Sequence, residues 1–363
     1  MTRVLVVDDS ALMRRLLRRL FTEAGFETAF AADGEEALAQ LRVFEPDVVT
    51  LDVNMPRMGG LECLDRIMLE RPTPVVMLSS LTAADADEAV EALSLGAVDV
   101  LQKPSGPLSL GIDTLGPALV DSIRAAEGAR IRRTRRLAER IRTLSGSAPP
   151  QPRQKPRRAG AAVAATRSGS QTSLVLVGCS TGGPPALDAL LAPLPAAFAC
   201  PIVIAQHMPA AFTGPLAKRL DGICRLRVRE VTEPTLLEPG YVYVARGDAD
   251  VVVTARTHGL TAAPVGASPA YGWHPSVDRL VESALAAAPA AELVGVLMTG
   301  MGRDGAVAMA ALRAGGGWTL AEAEETAVVW GMPGELVRCG GASEVAPLDD
   351  LAARLAAYVG VAR

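Results

Sequence analysis

Short apolar runs alternate with helical stretches over the first 120 residues, and this alternation restricts the fold more than any other feature. The run Val4-Leu5-Val6-Val7 is continuous, as expected of a strand buried on both faces of a parallel sheet, and a helix from 11 to 23 follows it. Further strands are predicted at 27–31, 47–53, 74–79 and 99–101, with helices at 34–44, 61–69 and 84–95 between them. Five β-α units of this length predict a flavodoxin-like α/β domain with a five-stranded parallel sheet.

A second alternation of strands and helices begins at Leu174 and continues to the end of the chain. Strands are predicted at 174–177, 201–205 and 293–298, and helices at 185–191, 212–220, 277–287, 305–313 and 347–358. Strands at 241–245 and 251–255, joined by Gly247-Asp248, predict a β-hairpin. We therefore predict a second doubly wound α/β domain that carries a hairpin.

The segment between the two domains has a different composition. It contains the basic run Arg130–Arg136 and the stretch Pro149-Pro150-Gln151-Pro152, neither of which can form a core. We divide the chain into a domain at 1–122, a linker at 123–172 and a domain at 173–363. The basic run is either a docking surface for an acidic partner or a solvated spacer.

Composition and charge narrow the class of protein. The 363 residues carry a formal net charge of −4, which does not favour nucleic acid or an anionic membrane surface as a partner. No uninterrupted apolar run approaches the roughly 18 residues of a membrane span, so we expect no membrane insertion. A strand begins almost at Met1, leaving no room for a signal peptide, and the five cysteines are odd in number and widely spaced. These features predict a cytoplasmic protein with reduced thiols.

Polar side chains follow successive strands of the first domain. Asp8 and Asp9 follow the first strand, Asp52 ends the third, Ser79 the fourth, and Lys103 follows the fifth. The carboxyl ends of parallel strands meet at one edge of a sheet, so these groups should converge. Converging carboxylates need a divalent cation to offset their repulsion. Acids, metal, lysine and hydroxyl together suit transfer of a phosphoryl group to a carboxylate.

From about residue 3 to 119, the sequence resembles the receiver domains of bacterial response regulators. The motifs that carry the resemblance are Val-Val-Asp8-Asp9-Ser, Asp52-Val-Asn54-Met55-Pro56 and Lys103-Pro104. The resemblance implies that Asp52 accepts the phosphoryl group, that Asp8, Asp9, Asp52 and the Asn54 carbonyl bind Mg²⁺, and that Ser79 is the switch hydroxyl. It also implies a histidine kinase as phosphodonor. Val100 departs from the family, which often has an aromatic residue three positions before the lysine.

The sequence Gly178-Cys179-Ser180-Thr181-Gly182 fits the G-x-S-x-G nucleophile elbow, and it lies between a predicted strand and a predicted helix. Small residues permit a sharp turn, and the N-terminus of the next helix directs N–H groups at a developing oxyanion. A phosphate-binding loop is the alternative interpretation, although no lysine follows at the Walker spacing. We expect Ser180 to be the nucleophile of a hydrolase.

A nucleophilic serine needs a base and a group that orients the base. Of the three histidines, His207 ends a predicted strand, whereas His258 and His274 lie in predicted surface segments. Asp304 follows the strand at 293–298 and is the expected orienter, with Asp278 and Asp250 as rivals. The order Ser, His, Asp along the chain differs from that of the α/β-hydrolases, so a convergent triad on another α/β fold is predicted.

From about residue 174 to 359, the sequence resembles the catalytic domain of the chemotaxis protein-glutamate methylesterases. The matching motifs are Ser180-Thr181-Gly182-Gly183-Pro184, Gln206-His207-Met208-Pro209, Pro275-Ser276-Val277-Asp278, Thr299-Gly300-Met301-Gly302 and Gly331-Met332-Pro333. The resemblance implies the roles given above for Ser180, His207 and Asp304, with Thr181 and the Met301 backbone supporting the site. The implied substrates are glutamate γ-methyl esters of methyl-accepting chemoreceptors, with glutamine deamidation as a side activity and no cofactor for hydrolysis.

Several positions depart from the usual residues of this family. Cys179 stands in place of Ala, Arg246 of Pro, Asp250 of His, His274 of Arg, and Glu322-Ala323 of a Gln-Asp pair. A Cys179/His207 thiol mechanism and a small buried thiol both remain open, and the other departures bear on the rim of the pocket. Two other functions also remain open: a response regulator whose second domain only binds, and a regulated esterase for small molecules. We predict that the unphosphorylated receiver covers Ser180 and that phosphorylation of Asp52 weakens this contact.

Overall fold

The computed structural model describes residues 1–80, 82–103, 108–129 and 172–360. The basic run, most of the predicted linker and Pro104 lie outside the described residues. None of the helices in the described ranges is both long and apolar enough to cross a bilayer.

The N-terminal domain is a parallel sheet with helices on both faces. Its strands are β1 (Arg3–Val7), β2 (Glu27–Ala31), β3 (Val48–Asp52), β4 (Val75–Ser79) and β5 (Asp99–Gln102). Its helices are α1 (Ala11–Glu23), α2 (Gly34–Phe44), α3 (Gly60–Glu70), α4 (Ala83–Leu95) and α5 (Leu108–Glu127). The spatial order β2-β1-β3-β4-β5 confirms the predicted flavodoxin-like sheet.

Local sequence explains where these elements begin and end. The Ser10 hydroxyl accepts a hydrogen bond from the Met13 N–H at the start of α1, and the Asp33 carboxylate caps α2 in the same way. At the other end of the domain, α5 continues past residue 122, and Ile123 and Ala126 are fully buried in the core beneath it. The described start of the predicted linker is therefore helical and packed.

The C-terminal domain is built on a larger parallel sheet. Its strands in the described chain are β6 (Leu174–Cys179), β7 (Ile202–Gln206), β8 (Arg227–Val231), β9 (Thr235–Leu236), β10 (Tyr241–Ala245), β11 (Ala249–Arg256), β12 (Gly259–Gly266), β13 (Leu293–Leu297), β14 (Trp318–Glu322) and β15 (Glu344–Ala346). Its helices are α6 (Gly183–Leu191), α7 (Ala210–Ile223), α8 (Val277–Ala287), α9 (Ala306–Ala314), α10 (Met332–Arg338) and α11 (Leu348–Val359), with a 3-10 turn at Ala290–Glu292. The order β15-β14-β13-β6-β7-β10-β8 reverses direction beside β6, where a doubly wound fold binds its ligands.

A hairpin is present, but the predicted pairing was wrong. The strand β10 lies inside the large sheet, parallel to both β7 and β8, whereas β11 pairs with β12 in a separate antiparallel sheet. The hairpin turns between Arg256 and Gly259, not at Gly247-Asp248. The physical reason lies in the burial of the two strands. Four consecutive residues of β10, Val242 to Ala245, are buried as in a central parallel strand, whereas exposure varies along β11.

Candidate active site and phosphorylation site

The turn after β6 places Ser180 at the carboxyl edge of the sheet. The Ser180 N–H donates to the Thr299 carbonyl at 3.0 Å, which ties the turn to the segment after β13. Gly182 has φ +77°, and a Cβ there would lie 2.6 Å from the Val328 side chain, so only glycine fits. The helix α6 begins at the next residue, but the prediction that its N–H groups would face an oxyanion was wrong: the Gly183 N–H donates to the Ser180 carbonyl at 2.7 Å, and Pro184 and Pro185 have no N–H.

His207 lies beside this turn because of the register between β6 and β7. Cys179 pairs with Gln206 at the end of the ladder, so the next residue of each strand, Ser180 and His207, emerges at the same edge. Nε2 of His207 lies 2.8 Å from Oδ2 of Asp304. Nδ1 is buried and has no hydrogen-bond partner among the described residues. This nitrogen is therefore the one available to take a proton.

Gln206 holds the main chain on both sides of the site. Its side-chain amide donates to the Ser180 carbonyl at 3.0 Å and to the His207 carbonyl at 2.9 Å. The thiol of Cys179 lies 3.0 Å from the amide oxygen of Gln206, which orients the amide. A single buried side chain thus fixes the distance between two strand ends.

Four donors surround the Asp304 carboxylate. Oδ2 accepts from His207 and from the Val277 N–H at 2.7 Å, and Oδ1 accepts from the Ser276 hydroxyl at 3.1 Å and the Asp278 N–H at 3.0 Å. Burial opposes ionisation, but the hydrogen bond and charge of His207, with the backbone N–H groups, hold the pKa of Asp304 below its usual range. The carboxylate stays charged and accepts the imidazole N–H.

The two rival carboxylates occupy other positions. Asp278 accepts the Ala308 N–H at 3.1 Å, and burial followed by the charge of Asp304 raises its pKa to about 6. Asp250 is hydrogen-bonded to Nδ1 of His274 at 2.9 Å, so His274 is partly buried and is not a free surface residue. His258 is exposed in the turn of the hairpin.

The thiol of Cys179 is poorly suited to be a nucleophile. The side chain is fully buried, and burial, with a smaller contribution from Glu322, raises the pKa of the thiol. Because the thiolate is the reactive form, this environment disfavours a thiol mechanism.

Two backbone N–H groups point to an oxyanion site. The N–H groups of Thr181 and Met301 donate to no other group within the described part of the chain. Thr181 follows the serine directly, and Met301 follows Gly300, where a Cβ would lie 2.8 Å from the Cβ of Ser180. Both residues therefore lie next to Ser180, and we expect their N–H groups to bind the oxyanion.

In the N-terminal domain, the predicted polar groups converge at the carboxyl edge of the sheet. Nζ of Lys103 lies 2.7 Å from Oδ2 of Asp8 and 2.7 Å from Oδ2 of Asp52. Burial raises the pKa of Asp52 to about 6, although the charge of Lys103 acts in the opposite direction. Carboxylate oxygens of Asp8, Asp9 and Asp52 lie within 4.8 Å of one another, and Asp9 is exposed. This donor set, with one side open to solvent, fits Mg²⁺.

Ser79 and Asn54 connect this cluster to the helix α4. The hydroxyl of Ser79 donates to the Asp85 carbonyl at 3.2 Å, and the side-chain amide of Asn54 donates to the Asp85 carboxylate at 2.6 Å. Asp85 lies in the first turn of α4, where its N–H is capped by Thr82. Groups beside Asp52 therefore hold the start of one helix.

That helix packs against the second domain, and the N-terminal domain reaches the turn that holds Ser180. The buried core is continuous from α4 into α6 and α7. The Gly182 N–H donates to the Val98 carbonyl at 3.0 Å, and the Thr181 hydroxyl lies 3.4 Å from the Asp99 carboxylate. Burial raises the pKa of Asp99, against its hydrogen bonds from Ser122, Val100 and Thr181.

Two residues at this site, Asp99 and Trp273, were not predicted from the sequence. Asp99 comes from the receiver, and Trp273 comes from the segment after β12, with its ring stacked on that of His207 at 5.5 Å between centroids and 8° between planes. Neither lies in a strand-end motif, so no local signal marked them. Val100, whose departure was noted, is 2% exposed and lies in the receiver core.

Comparison with known proteins covers both domains. Residues 175–355 match the CheB methylesterase family, and residues 4–111 match the response regulator receiver domain family. The chain is 57% identical over 354 residues to protein-glutamate methylesterase/protein-glutamine glutaminase 2 of Rhodopseudomonas palustris, covering 97% of each chain. It is 49% identical to the corresponding protein 3 of Rhodospirillum rubrum, covering 99% of this chain and 96% of that one.

A solved structure is also similar. The crystal structure of the Thermotoga maritima CheB methylesterase catalytic domain is 34% identical in sequence, with a TM-score of 0.49, and the match covers 51% of this chain and 97% of that chain.

Proposed function

Because the chain belongs to the CheB methylesterase family and carries a receiver domain, we propose that it hydrolyses glutamate γ-methyl esters of methyl-accepting chemoreceptors and deamidates receptor glutamines. The observation that carries this proposal is the pairing of His207 with Asp304 at 2.8 Å, directly beside Ser180. Hydrolysis leaves a charged glutamate on the receptor, and this charge change is the basis of sensory adaptation.

The reaction is an acyl transfer through Ser180. Nδ1 of His207 takes the hydroxyl proton as Oγ attacks the ester carbonyl. The imidazolium then donates this proton to the methoxy oxygen as its bond to the carbonyl carbon breaks, and methanol leaves. Water then hydrolyses the glutamyl-enzyme, with His207 again acting as the base. Asp304 holds the ring through Nε2 and stabilises its charged form. The N–H groups of Thr181 and Met301 donate hydrogen bonds to the oxyanion, and one such donor is typically worth about 10²–10³ in kcat.

The receiver regulates this reaction by covering the nucleophile turn. Asp8, Asp9, Asp52 and the Asn54 carbonyl would hold Mg²⁺, which offsets charge on the transferred phosphoryl group. Lys103 contacts Asp52 and would share that role. A phosphoryl group on Asp52 competes for the Ser79 hydroxyl, which now donates to Asp85.

Loss of that hydrogen bond loosens the start of α4, which packs on the second domain. The contacts of Val98 and Asp99 with the turn then weaken, and Ser180, now 9% exposed, opens to the receptor. We propose a chemotaxis histidine kinase as the phosphodonor and the cytoplasm as the place of action.

Methanol release from methylated chemoreceptors, with and without acetyl phosphate, tests the function. We expect release that rises several-fold after phosphorylation and is abolished in S180A, whose circular dichroism should match that of the parent protein. Turnover of small esters without release from receptors would instead support the small-molecule esterase. Absence of both activities in the folded, phosphorylated protein would favour a domain that only binds.

A further inference from the structure

Two of the departures from the family pattern, Asp250 and His274, contact each other. The Asp250 side chain is fully buried at the start of β11, and its carboxylate accepts four hydrogen bonds. The donors are the Ser268 N–H at 3.2 Å, Nδ1 of His274 at 2.9 Å, the Ser276 N–H at 2.8 Å and Nη1 of Arg279 at 2.6 Å. A buried carboxylate is stable only with such a set of donors.

These donors lie at the two ends of one segment, residues 267–276, which we call the His207 loop. Ser268 is at its start, His274 and Ser276 are at its end, and Arg279 is in the first turn of α8 directly after it. Arg279 also donates to the Gly266 carbonyl at 2.7 Å. One carboxylate thus closes the loop by joining both ends.

The loop touches the proposed catalytic groups at two points. Trp273 stacks on His207, and the Ser276 hydroxyl donates to Asp304 at 3.1 Å. Within the described residues, the His207 ring makes one hydrogen bond, to Asp304, and Nδ1 has none. A single bond along one edge lets an imidazole tilt about that bond, whereas an indole against its face restricts this tilt.

We propose that Asp250 is a positioning residue for ester hydrolysis, because it closes the His207 loop and so keeps Trp273 stacked on His207. Asp250 acts through Trp273 and contacts none of the reacting groups. A stacked indole also favours the imidazolium that forms as Ser180 attacks, since a cation is attracted to the face of an aromatic ring. The inference rests on the proposed triad.

A double-mutant cycle on the full-length, phosphorylated protein tests the inference, with methanol release from methylated receptors as the assay. W273L removes the aromatic face from a side chain that is 39% exposed, so it should fold. We expect W273L to lower kcat by about 2- to 12-fold, the range of a stacked aromatic pair, with KM changed less than about threefold. W273F, which keeps an aromatic face, should recover most of kcat.

D250N keeps the shape of the side chain but presents an NH₂ group to part of its donor set. It should lower kcat by a factor similar to that of W273L, and in the W273L background it should cost less than about twofold, because coupled residues are not additive. If D250N does not fold, R279M replaces it in the cycle, since it removes one donor and leaves Asp250 in place. The matched control is W318L, because Trp318 stacks on Tyr358 at 4.2 Å, away from the triad, and its kcat should match the parent.

Additive effects of D250N and W273L, or an unchanged kcat in W273L, would overturn the inference. In either case S180A would remain inactive if the proposed function is correct. Activity in S180A would refute the triad itself, so the two failures can be told apart.

Discussion

Replacing Asp304 with asparagine distinguishes the orienting carboxylate from its neighbour Asp278. Each oxygen of Asp304 accepts two hydrogen bonds, from His207 and Val277 at one oxygen and from Ser276 and Asp278 at the other. Asparagine keeps a single oxygen. In either orientation, its NH₂ group therefore faces two donors, at least one of them a backbone N–H that cannot turn away.

The size of the effect follows from this count of bonds. A hydrogen bond to a charged group is worth about 1.5–3 kcal/mol, so two lost bonds should lower the free energy of unfolding by roughly 3–6 kcal/mol before relaxation. If the NH₂ group faces His207, the wrong ring tautomer is favoured. In the serine protease triad this change lowers kcat by about 10⁴-fold, and we expect a loss of about 10³–10⁴-fold for D304N.

The assay is methanol release from methylated receptors, combined with urea unfolding of the same samples. D278N is the matched control: the Asp278 carboxylate accepts the Ala308 N–H, and an asparagine oxygen can accept it as well. D278N also removes a carboxylate whose burial, followed by repulsion from Asp304, raises its pKa to about 6, so it should keep kcat within about fivefold and should not lose stability above pH 6. The assignment would be refuted if D278N lost as much kcat as D304N, or if folded D304N kept more than about a tenth of the parent kcat.

Three further predictions concern the receiver, its interface and the thiol. Because the pKa of Asp52 is raised, the native state retains a proton between about pH 4 and about pH 6 that the unfolded state has lost. The free energy of unfolding without Mg²⁺ should therefore fall by roughly 3 kcal/mol as pH rises from about 4 to about 6. Urea titrations of D52N should lack this slope, and an equal slope in D52N would contradict the assignment. The Asp99 carboxylate contacts the Thr181 hydroxyl, so D99A should raise methanol release by the unphosphorylated protein several-fold. The further increase on adding acetyl phosphate should then be smaller. Unchanged basal release in D99A would argue against a restraining contact. Burial raises the pKa of the Cys179 thiol and so disfavours the reactive thiolate. C179A should therefore keep kcat within about threefold, and iodoacetamide should not inhibit the parent protein. Loss of activity in either test would favour a thiol mechanism.

Strand-end chemistry was predictable from the sequence because it depends on local patterns. Continuous apolar runs identified β1, β3, β4, β6, β7 and β13, and parallel strands bring their carboxyl ends to one edge of a sheet. Polar residues at or beyond the carboxyl ends of parallel strands should therefore converge, as Asp52 with Lys103 and His207 with Asp304 do. The same reasoning failed for β10, because an apolar run predicts a strand but not its neighbours.

The sequence by itself determined the five-stranded sheet, the strands β6, β7 and β13 of the larger sheet, the order of the domains and the polar groups at the strand ends. Only the tertiary structure decided that Asp99 of the receiver reaches Thr181, that Trp273 covers His207, and that Asp250 binds His274. These contacts join segments that lie far apart in the chain or in different domains. Side-chain periodicity reports only which face of an element is buried, whereas such contacts depend on the path of the loops and the docking of the two domains.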